Sequence, residues 1–260
     1  MKKLFTLSII ALFAMGQNAL GWGRLGHDAV AYIAECHLKP KAKKNIERFL
    51  DGRSIVYYSS WMDDWRETPA YAHTTVWHSA AVDENLYYTD EVRSPKGDCI
   101  CELENAIERL KNWRTLDDST VAVNLRYVIH LTGDMHCPGH VKFPGQKSFN
   151  VVFNGKTCSY HSMWDEGILS AAHKWQYLEF AHQLDRLSPK EIRAVSAGTP
   201  RDWFHENAVE NRVIYEMAYP NQKFSKVEGK WFVNAAHPIA EKQLQRAGYR
   251  LARILNELFG

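Results

Sequence analysis

The sequence lacks an excess of charge of either sign. Lysine and arginine together number 32, against 30 aspartates and glutamates. Loss of an N-terminal leader with its two lysines would take the basic count from 32 to 30 and leave the mature chain neutral. Proteins that coat nucleic acid without a specific site depend on many lysines and arginines. Any attraction of this chain for phosphate must therefore be local.

Long apolar runs are also missing, because no stretch approaches the roughly 20 residues that a transmembrane helix needs. The longest apolar stretch near the N-terminus, residues 4–15, follows two lysines and precedes small residues at positions 19 and 21. This order is typical of a secretory signal peptide. We therefore predict a signal peptide over 1–21, cleavage before Trp22 and export to the periplasm or the medium. A retained membrane anchor is the alternative interpretation.

Cysteine is scarce, with five residues in the whole chain. In an exported protein, five cysteines permit one or two disulfides and leave at least one thiol over. Spacing does not reveal connectivity. Cys137 and Cys158 are a weak preference for a pair, because each precedes by three residues a histidine considered below as a metal ligand.

The remaining pattern is helical and shows no repeat, low-complexity tract or linker. Apolar residues recur at helical spacing over 101–113, 121–131 and 239–258, and Pro40 and Pro200 stand at helix starts. The exception is 148–157, where apolar residues alternate before Asn154-Gly155, a pattern that predicts a small hairpin. We predict an all-α fold in which 22–260 form a single-domain helical bundle with one small β-hairpin.

Histidine and aspartate pairs carry the strongest chemical signal. His130 and Asp134 are four residues apart at the end of an apolar helix, so both side chains project from one face. His161 and Asp165 repeat the spacing, and His136 and His140 lie between the two pairs. Imidazole nitrogen and carboxylate oxygen are the ligands that zinc takes at hydrolytic sites. The pattern indicates a metal centre.

These residues resemble the zinc-dependent single-strand-specific nucleases, the fungal and plant type I nucleases that also act as 3'-nucleotidases. The family's marks occur here in order. They are Trp22-Gly23 with His27, Trp61-Met62-Asp63, Trp77-His78, the His130–His140 block, His161–Asp165 and Ala247–Asn256.

The resemblance implies a trinuclear zinc cluster in a cleft. The first zinc would be held by Asp63, His78, His130 and Asp134. The second would be held by His140, His161 and Asp165. The third would be held by the α-amine and carbonyl of Trp22, by His27, and by Asp134, which bridges it to the first. A ligand that is an α-amine would tie metal loading to signal-peptide cleavage.

The resemblance also implies a reaction and its substrates. A secreted endonuclease and 3'-nucleotidase would hydrolyse single-stranded DNA or RNA to 5'-phosphate products by a zinc-bound hydroxide, and it would release phosphate from 3'-nucleotides. Asp63 would orient the nucleophile, and Arg66, one helical turn later, would contact phosphate. Three zinc ions and three aspartates leave a formal charge of about +3, which suits a phosphodiester. We expect a monomer without a stable membrane anchor.

The sequence departs from the family in the segment after Trp77-His78, which in the family binds the base next to the scissile phosphate. Ser79 and Ala81 occupy positions at which the family has an aromatic residue and an aspartate. Asp83 could replace the lost carboxylate, and the tyrosines at 87 and 88 could supply stacking surfaces. Lys147 stands where the family has an asparagine near the phosphate. These changes affect base preference and leave the metal ligands intact.

Two other functions remain open at this stage. A zinc-dependent phospholipase C has a similar all-helical scaffold and three-zinc cluster, and a zinc-storing protein would need the ligands without catalysis. His136 is interpreted as structural. The other histidines are interpreted as ordinary residues without a ligand partner; they are His37, His73, His173, His182, His205 and His237.

Overall fold

The computed structural model describes residues 22–260, and the predicted signal peptide lies outside this range. Eleven α-helices form most of the described chain. They are α1 Arg24–Cys36, α2 Pro40–Phe49, α3 Trp61–Trp65, α4 Cys99–Leu110, α5 Asp118–Asp134, α6 Tyr160–Ser162, α7 Ile168–Ala172, α8 Tyr177–Leu184, α9 Pro189–Val195, α10 Pro200–Asn211 and α11 Lys226–Phe259. The prediction of an all-α fold is confirmed.

Two pairs of short strands complete the described fold. Strands β3 Asn150–Phe153 and β4 Lys156–Ser159 are antiparallel, and Asn154 and Gly155 between them have φ angles of 50° and 75°. The predicted hairpin is therefore confirmed, with the positive φ values that an Asn-Gly turn requires. The parallel pair of β1 Ala80–Ala81 and β2 Val141–Lys142 was not predicted, because two-residue strands leave no periodic signal.

Helix α11 is longer than the sequence pattern predicts. The apolar periodicity indicated a start at Ile239, but the helix begins at Lys226 and runs through Pro238. Ser225 caps this earlier start, because its side chain accepts a hydrogen bond from Glu228 N and the Glu228 carboxylate accepts one from Ser225 N. A proline removes one helical hydrogen bond, and the 34-residue helix continues across it.

Helix α11, the longest helix, runs through the core, and α1 packs along it. The two helices approach closely at Gly248, where an added Cβ would lie 2.5 Å from Ile33 Cγ2. Only glycine permits this spacing, since carbon atoms in contact stand about 3.5–4.0 Å apart. The packing fixes α1, which carries His27.

Helix α5 crosses the core beside α4 and is buried along most of its length. Asp117 caps its N-terminus by accepting a hydrogen bond from Thr120 N at 2.8 Å. Leu125, Val128 and Leu131 are fully buried. This apolar packing holds the polar C-terminal turn of α5, with His130 and Asp134, inside the protein.

The cysteines are all free thiols in the structure, so the expected pairing of Cys137 with Cys158 is wrong. Cys158 lies on β4, while Cys137 is fully buried. Across residues 22–260, no helix is both long enough and apolar enough to span a membrane.

Candidate metal centre

The centre of the candidate site is Asp134, the fully buried last residue of α5. Its Oδ2 lies 2.9 Å from His78 Nδ1 and 3.2 Å from His130 Nε2. Its Oδ1 lies 3.4 Å from His27 Nε2 and 3.5 Å from His140 Nδ1. Each oxygen of this carboxylate therefore faces two imidazoles, an arrangement suited to bridging two cations.

Helix α3 brings a second carboxylate to the same imidazoles. Asp63 Oδ1 lies 3.7 Å from His78 Nδ1, and Asp63 Oδ2 lies 3.9 Å from His130 Nε2. Arg66 follows one turn later, and its Nη1 is 3.6 Å from Asp63 Oδ1. Arg66 is 5% exposed, so it is a buried cation beside the cluster rather than a solvated surface arginine.

A second group of ligand-type side chains adjoins the first through His140. Its Nε2 lies 3.3 Å from Asp165 Oδ1, and His161 Nε2 lies 3.2 Å from Asp165 Oδ2. The two imidazole rings stack with centroids 4.8 Å apart. The His161 side chain is 24% exposed, whereas those of His140 and Asp165 are buried. The cluster therefore reaches solvent on the side of His161.

Cys137 lies against this second group. Its Sγ donates a hydrogen bond to Asp165 Oδ1 at 3.4 Å. Burial, followed by the charge of Asp165, raises the pKa of the thiol. Cys137, His140 and Asp165 together place three ligand atoms within 4.8 Å of one another. Spacing alone gave no signal for this contact.

Main-chain and ring contacts orient the imidazoles. His130 Nδ1 donates to the carbonyl oxygen of Ser59 at 2.7 Å, which leaves Nε2 for the carboxylates. His27 stacks on His130 with centroids 3.9 Å apart and 16° between the planes. Gly133 leaves room for this stack, because an added Cβ would lie 2.8 Å from His27 Nδ1. A glycine inside an apolar helical pattern is a signal for such a contact. Nothing in the sequence pattern indicates the hydrogen bond from His130 to the Ser59 carbonyl oxygen.

The first residue of the predicted mature chain is packed into the same region. Trp22 is fully buried. A Cβ added at Gly26 would lie 2.9 Å from the Cβ of Trp22. The next residue, Gly23, donates its backbone N–H to the carbonyl oxygen of Asp165 at 2.9 Å. The start of the described chain is therefore held beside two ligand-bearing segments, those of His27 and Asp165.

The buried charges shift one another's pKa values. Burial opposes protonation of His130, but Asp134 and Asp63 outweigh it and raise its pKa to about 9. Burial likewise opposes ionisation of Asp134, yet the surrounding imidazoles hold its pKa well below its usual range. Burial, with repulsion from His130, lowers the pKa of His27. A cation that binds here must displace the proton on His130, since a ligating imidazole is neutral.

The cluster contains buried polar atoms that have no hydrogen-bond partner. Those atoms are His27 Nε2, Asp63 Oδ1, His78 Nε2, Asp134 Oδ1, both ring nitrogens of His140, and Asp165 Oδ2. An unsatisfied buried group costs about 1–3 kcal/mol. Bound cations would satisfy several of these atoms, because each is an imidazole nitrogen or a carboxylate oxygen. The donor set therefore fits metal ions.

His136 lies within the motif but outside the cluster. Its Nδ1 donates to the carbonyl oxygen of Thr132 at 2.7 Å, and its Nε2 accepts from Arg250 Nη1 at 2.9 Å. Burial, together with the Arg250 charge, lowers its pKa well below the usual value, so the ring is neutral. Both nitrogens are engaged, which agrees with its interpretation as a structural residue.

The segment expected to contact bases is organised differently from the prediction. Asp83 Oδ1 accepts hydrogen bonds from Asn85 N at 2.9 Å and from Tyr87 N at 2.8 Å, so it shapes its own turn. Tyr88 is buried and bonded to Asp98, and it offers no stacking surface. Tyr87 is 52% exposed and stacks on His205 at 3.8 Å.

Lys147, the other expected substrate contact, lies exposed between β2 and β3. No described interaction joins its side chain to the cluster. Its position was inferred from an ungapped count, which cannot show where a loop side chain projects.

Comparison with known proteins identifies the family of this chain. A profile of the family described as S1/P1 nuclease matches residues 22–260. The chain is 24% identical over 282 residues to "Nuclease S1" of Aspergillus oryzae, covering 98% of each. It is 26% identical over 282 residues to "Endonuclease 3" of Arabidopsis thaliana, covering 99% of this chain and 95% of the relative. "Nuclease P1" of Penicillium citrinum is 26% identical over 275 residues, covering 92% of this chain and 98% of the relative. The chain therefore belongs to the S1/P1 nuclease family of phosphodiesterases, as its sequence predicts.

Proposed function

We propose that this protein is an exported, zinc-dependent endonuclease and 3'-nucleotidase that hydrolyses single-stranded DNA or RNA to 5'-phosphate products. The observation that carries the proposal is the convergence of partnerless imidazole nitrogens and carboxylate oxygens around Asp134. Family membership supplies the reaction class. The neutral composition requires a local charge to attract phosphate.

The ligands are proposed in three sets that meet at Asp134. Asp63, His78, His130 and Asp134 would hold one zinc ion. His140, His161 and Asp165 would hold a second. Trp22, through its α-amine and carbonyl, would hold the third with His27 and Asp134. Close approach between these side chains supports the first two sets, and the burial of Trp22 beside the His27 segment supports the third.

The protein's own residues would bind and orient the substrate. When bound, zinc ions lower the pKa of water and stabilise charge on phosphate oxygens. Asp63 would orient the attacking hydroxide, and its approach to the first set of imidazoles supports this role. Arg66 keeps its guanidinium beside Asp63 and would bind a phosphate oxygen. Asp83 and Lys147 are proposed as weaker, outer contacts to substrate.

Substrate class and metal dependence can be tested together. The mature protein should release 5'-phosphorylated products from denatured DNA and RNA and phosphate from 3'-mononucleotides. It should lose this activity in a chelator and regain it with added zinc. Duplex DNA of the same sequence is the matched control, and it should be cut far more slowly than the single strand.

Either of two outcomes would contradict the proposal and indicate a different function. Release of phosphocholine from phosphatidylcholine, with no cleavage of nucleic acid, would identify a phospholipase C. Tight zinc binding without hydrolysis of either substrate would indicate zinc storage.

We expect Gly133→Ala to impair the site without unfolding the helix. Alanine favours helix by about 1 kcal/mol over glycine, but its Cβ would lie 2.8 Å from His27 Nδ1 and displace the ring. Loss of ligand orientation costs about 10–100-fold in metal affinity or activity. Zinc content and nuclease rate measure the effect.

Gly167→Ala is the control for this substitution. The nearest atoms to its added Cβ are 3.7 Å away, an ordinary contact, although the residue is two positions from Asp165. It should retain zinc and activity. Equal behaviour of the two variants would contradict the proposed role of Gly133.

A further inference from the structure

A further group of ligand-type side chains, apart from those around Asp134 and Asp165, lies between the end of α7 and the middle of α11. His173 directly follows α7, and His237 and Glu241 are one turn apart on α11. His173 Nε2 lies 3.0 Å from Glu241 Oε1, and His237 Nδ1 lies 3.1 Å from the same oxygen. The interpretation of both histidines as ordinary residues is incomplete. His173 is 68 residues from Glu241, which leaves no local signal. His237 and Glu241, however, have the same four-residue spacing as His130 and Asp134.

Neighbouring aromatic rings hold His173 in this orientation. Its imidazole stacks on Trp175 with centroids 3.7 Å apart and 7° between the planes. Phe180 meets the same imidazole edge-on at 5.8 Å. The side chains of the three polar residues are 18–25% exposed, so the group is held in place and still open to solvent.

The geometry points to a separate binding site for a divalent transition metal ion, with zinc as the expected occupant, formed by His173, His237 and Glu241. Their ligand atoms lie within 4.8 Å of one another. Two imidazole nitrogens and one carboxylate oxygen are a known zinc donor set in which the fourth position is left to water. Bonds of about 2.0–2.1 Å in a tetrahedron separate neighbouring ligand atoms by about 3.3 Å. The observed 3.0 and 3.1 Å are close to this value, and the two imidazole nitrogens lie within 4.8 Å of each other.

This site shares no residue or element with the cluster around Asp134. The proposed nuclease ligands come from the N-terminal segment, α1, α3, the turn at His78, α5, α6 and the short segments that carry His140 and Asp165, whereas this group joins the end of α7 to α11. A metal ion here would tie those two segments together. It would therefore contribute to stability and leave hydrolysis unchanged.

Metal content tests the inference with the full mature protein. Wild type, His237→Ala and Glu241→Gln would be equilibrated with micromolar free zinc, washed, and analysed for zinc per chain. Both variants should contain one equivalent of zinc less than wild type. Added zinc should raise their melting temperature by less than it raises that of wild type. Their nuclease rates should equal that of wild type. Glu241→Gln keeps the size of the side chain, so a shortfall there cannot be attributed to a cavity.

His182→Ala is the matched control, because His182 is an exposed histidine on the neighbouring helix α8. It should retain the wild-type zinc content. Equal zinc content in wild type, His237→Ala and Glu241→Gln would overturn the proposal, as would an equal loss in His182→Ala. The comparison does not depend on how many ions the Asp134 cluster holds, so it succeeds or fails independently of the proposed nuclease function.

Discussion

Asp134→Asn is expected to remove two zinc ions at once and to lower nuclease activity by more than about 100-fold. Each Asp134 oxygen faces two imidazoles, at 2.9–3.5 Å, so one carboxylate serves two proposed ions. Asparagine has nearly the same shape but no negative charge, and its amide group is a poor ligand for zinc. Zinc per chain and the rate on denatured DNA measure the two effects.

Asp98→Asn separates metal loss from the loss of a buried carboxylate. Asp98 is 2% exposed and accepts hydrogen bonds from Ile100 N, Cys101 N and Tyr88 Oη. Asparagine keeps a side-chain oxygen that can cap α4, so the substitution removes a buried carboxylate and should leave zinc content intact. An Asp134→Asn protein that still holds three zinc ions would disprove the bridging role.

A single extra residue retained before Trp22 is expected to have the second-largest effect. The proposed third ion needs a free α-amine at Trp22, and acylation of that nitrogen by a preceding residue removes its lone pair from coordination. The tight packing of Trp22 against Gly26, and the hydrogen bond from Gly23 to Asp165, keep the segment from shifting to compensate. We expect one zinc ion fewer per chain and a loss of activity of more than about 100-fold.

An extra glycine after Gly260 provides the control of equal length. Gly260 is exposed and follows α11, so the extension should change neither zinc content nor rate. Full activity and unchanged zinc in the N-terminally extended protein would remove the α-amine from the proposed site.

Side chains one turn apart were the most predictable part of the site. The spacing of His130 with Asp134, and of His161 with Asp165, placed each pair on one face, and both pairs lie within 3.2 Å in the structure. Contacts between distant segments had no such signal. The approach of Cys137 to Asp165 and that of His173 to Glu241 depend on how helices pack, which local spacing does not encode.

The fold, too, was predictable where the signal lies within a few neighbouring residues and not where it depends on distant ones. Hydrophobic periodicity predicted the buried helix α5 and the hairpin, because both patterns are contained in a few residues. It missed the first turns of α11, where a capping pair at Ser225 and Glu228 starts the helix upstream of Pro238. The burial of Tyr88 also depended on a distant partner, since its hydroxyl donates to the cap residue of α4.

The proposed ligands with side chains at the cluster extend from His27 to Asp165, so the chain between them must be folded before the cluster can exist. Unfolding would scatter the donors and set every ion free. Metal bound at these ligands would therefore raise the free energy of unfolding by mass action. The increase is about 4.1 kcal/mol per site when the free metal concentration is 1,000 times the dissociation constant. Scarcity of zinc in the surroundings would shorten the lifetime of the protein as well as stop its catalysis, because proteases attack the unbound, more readily opened chain.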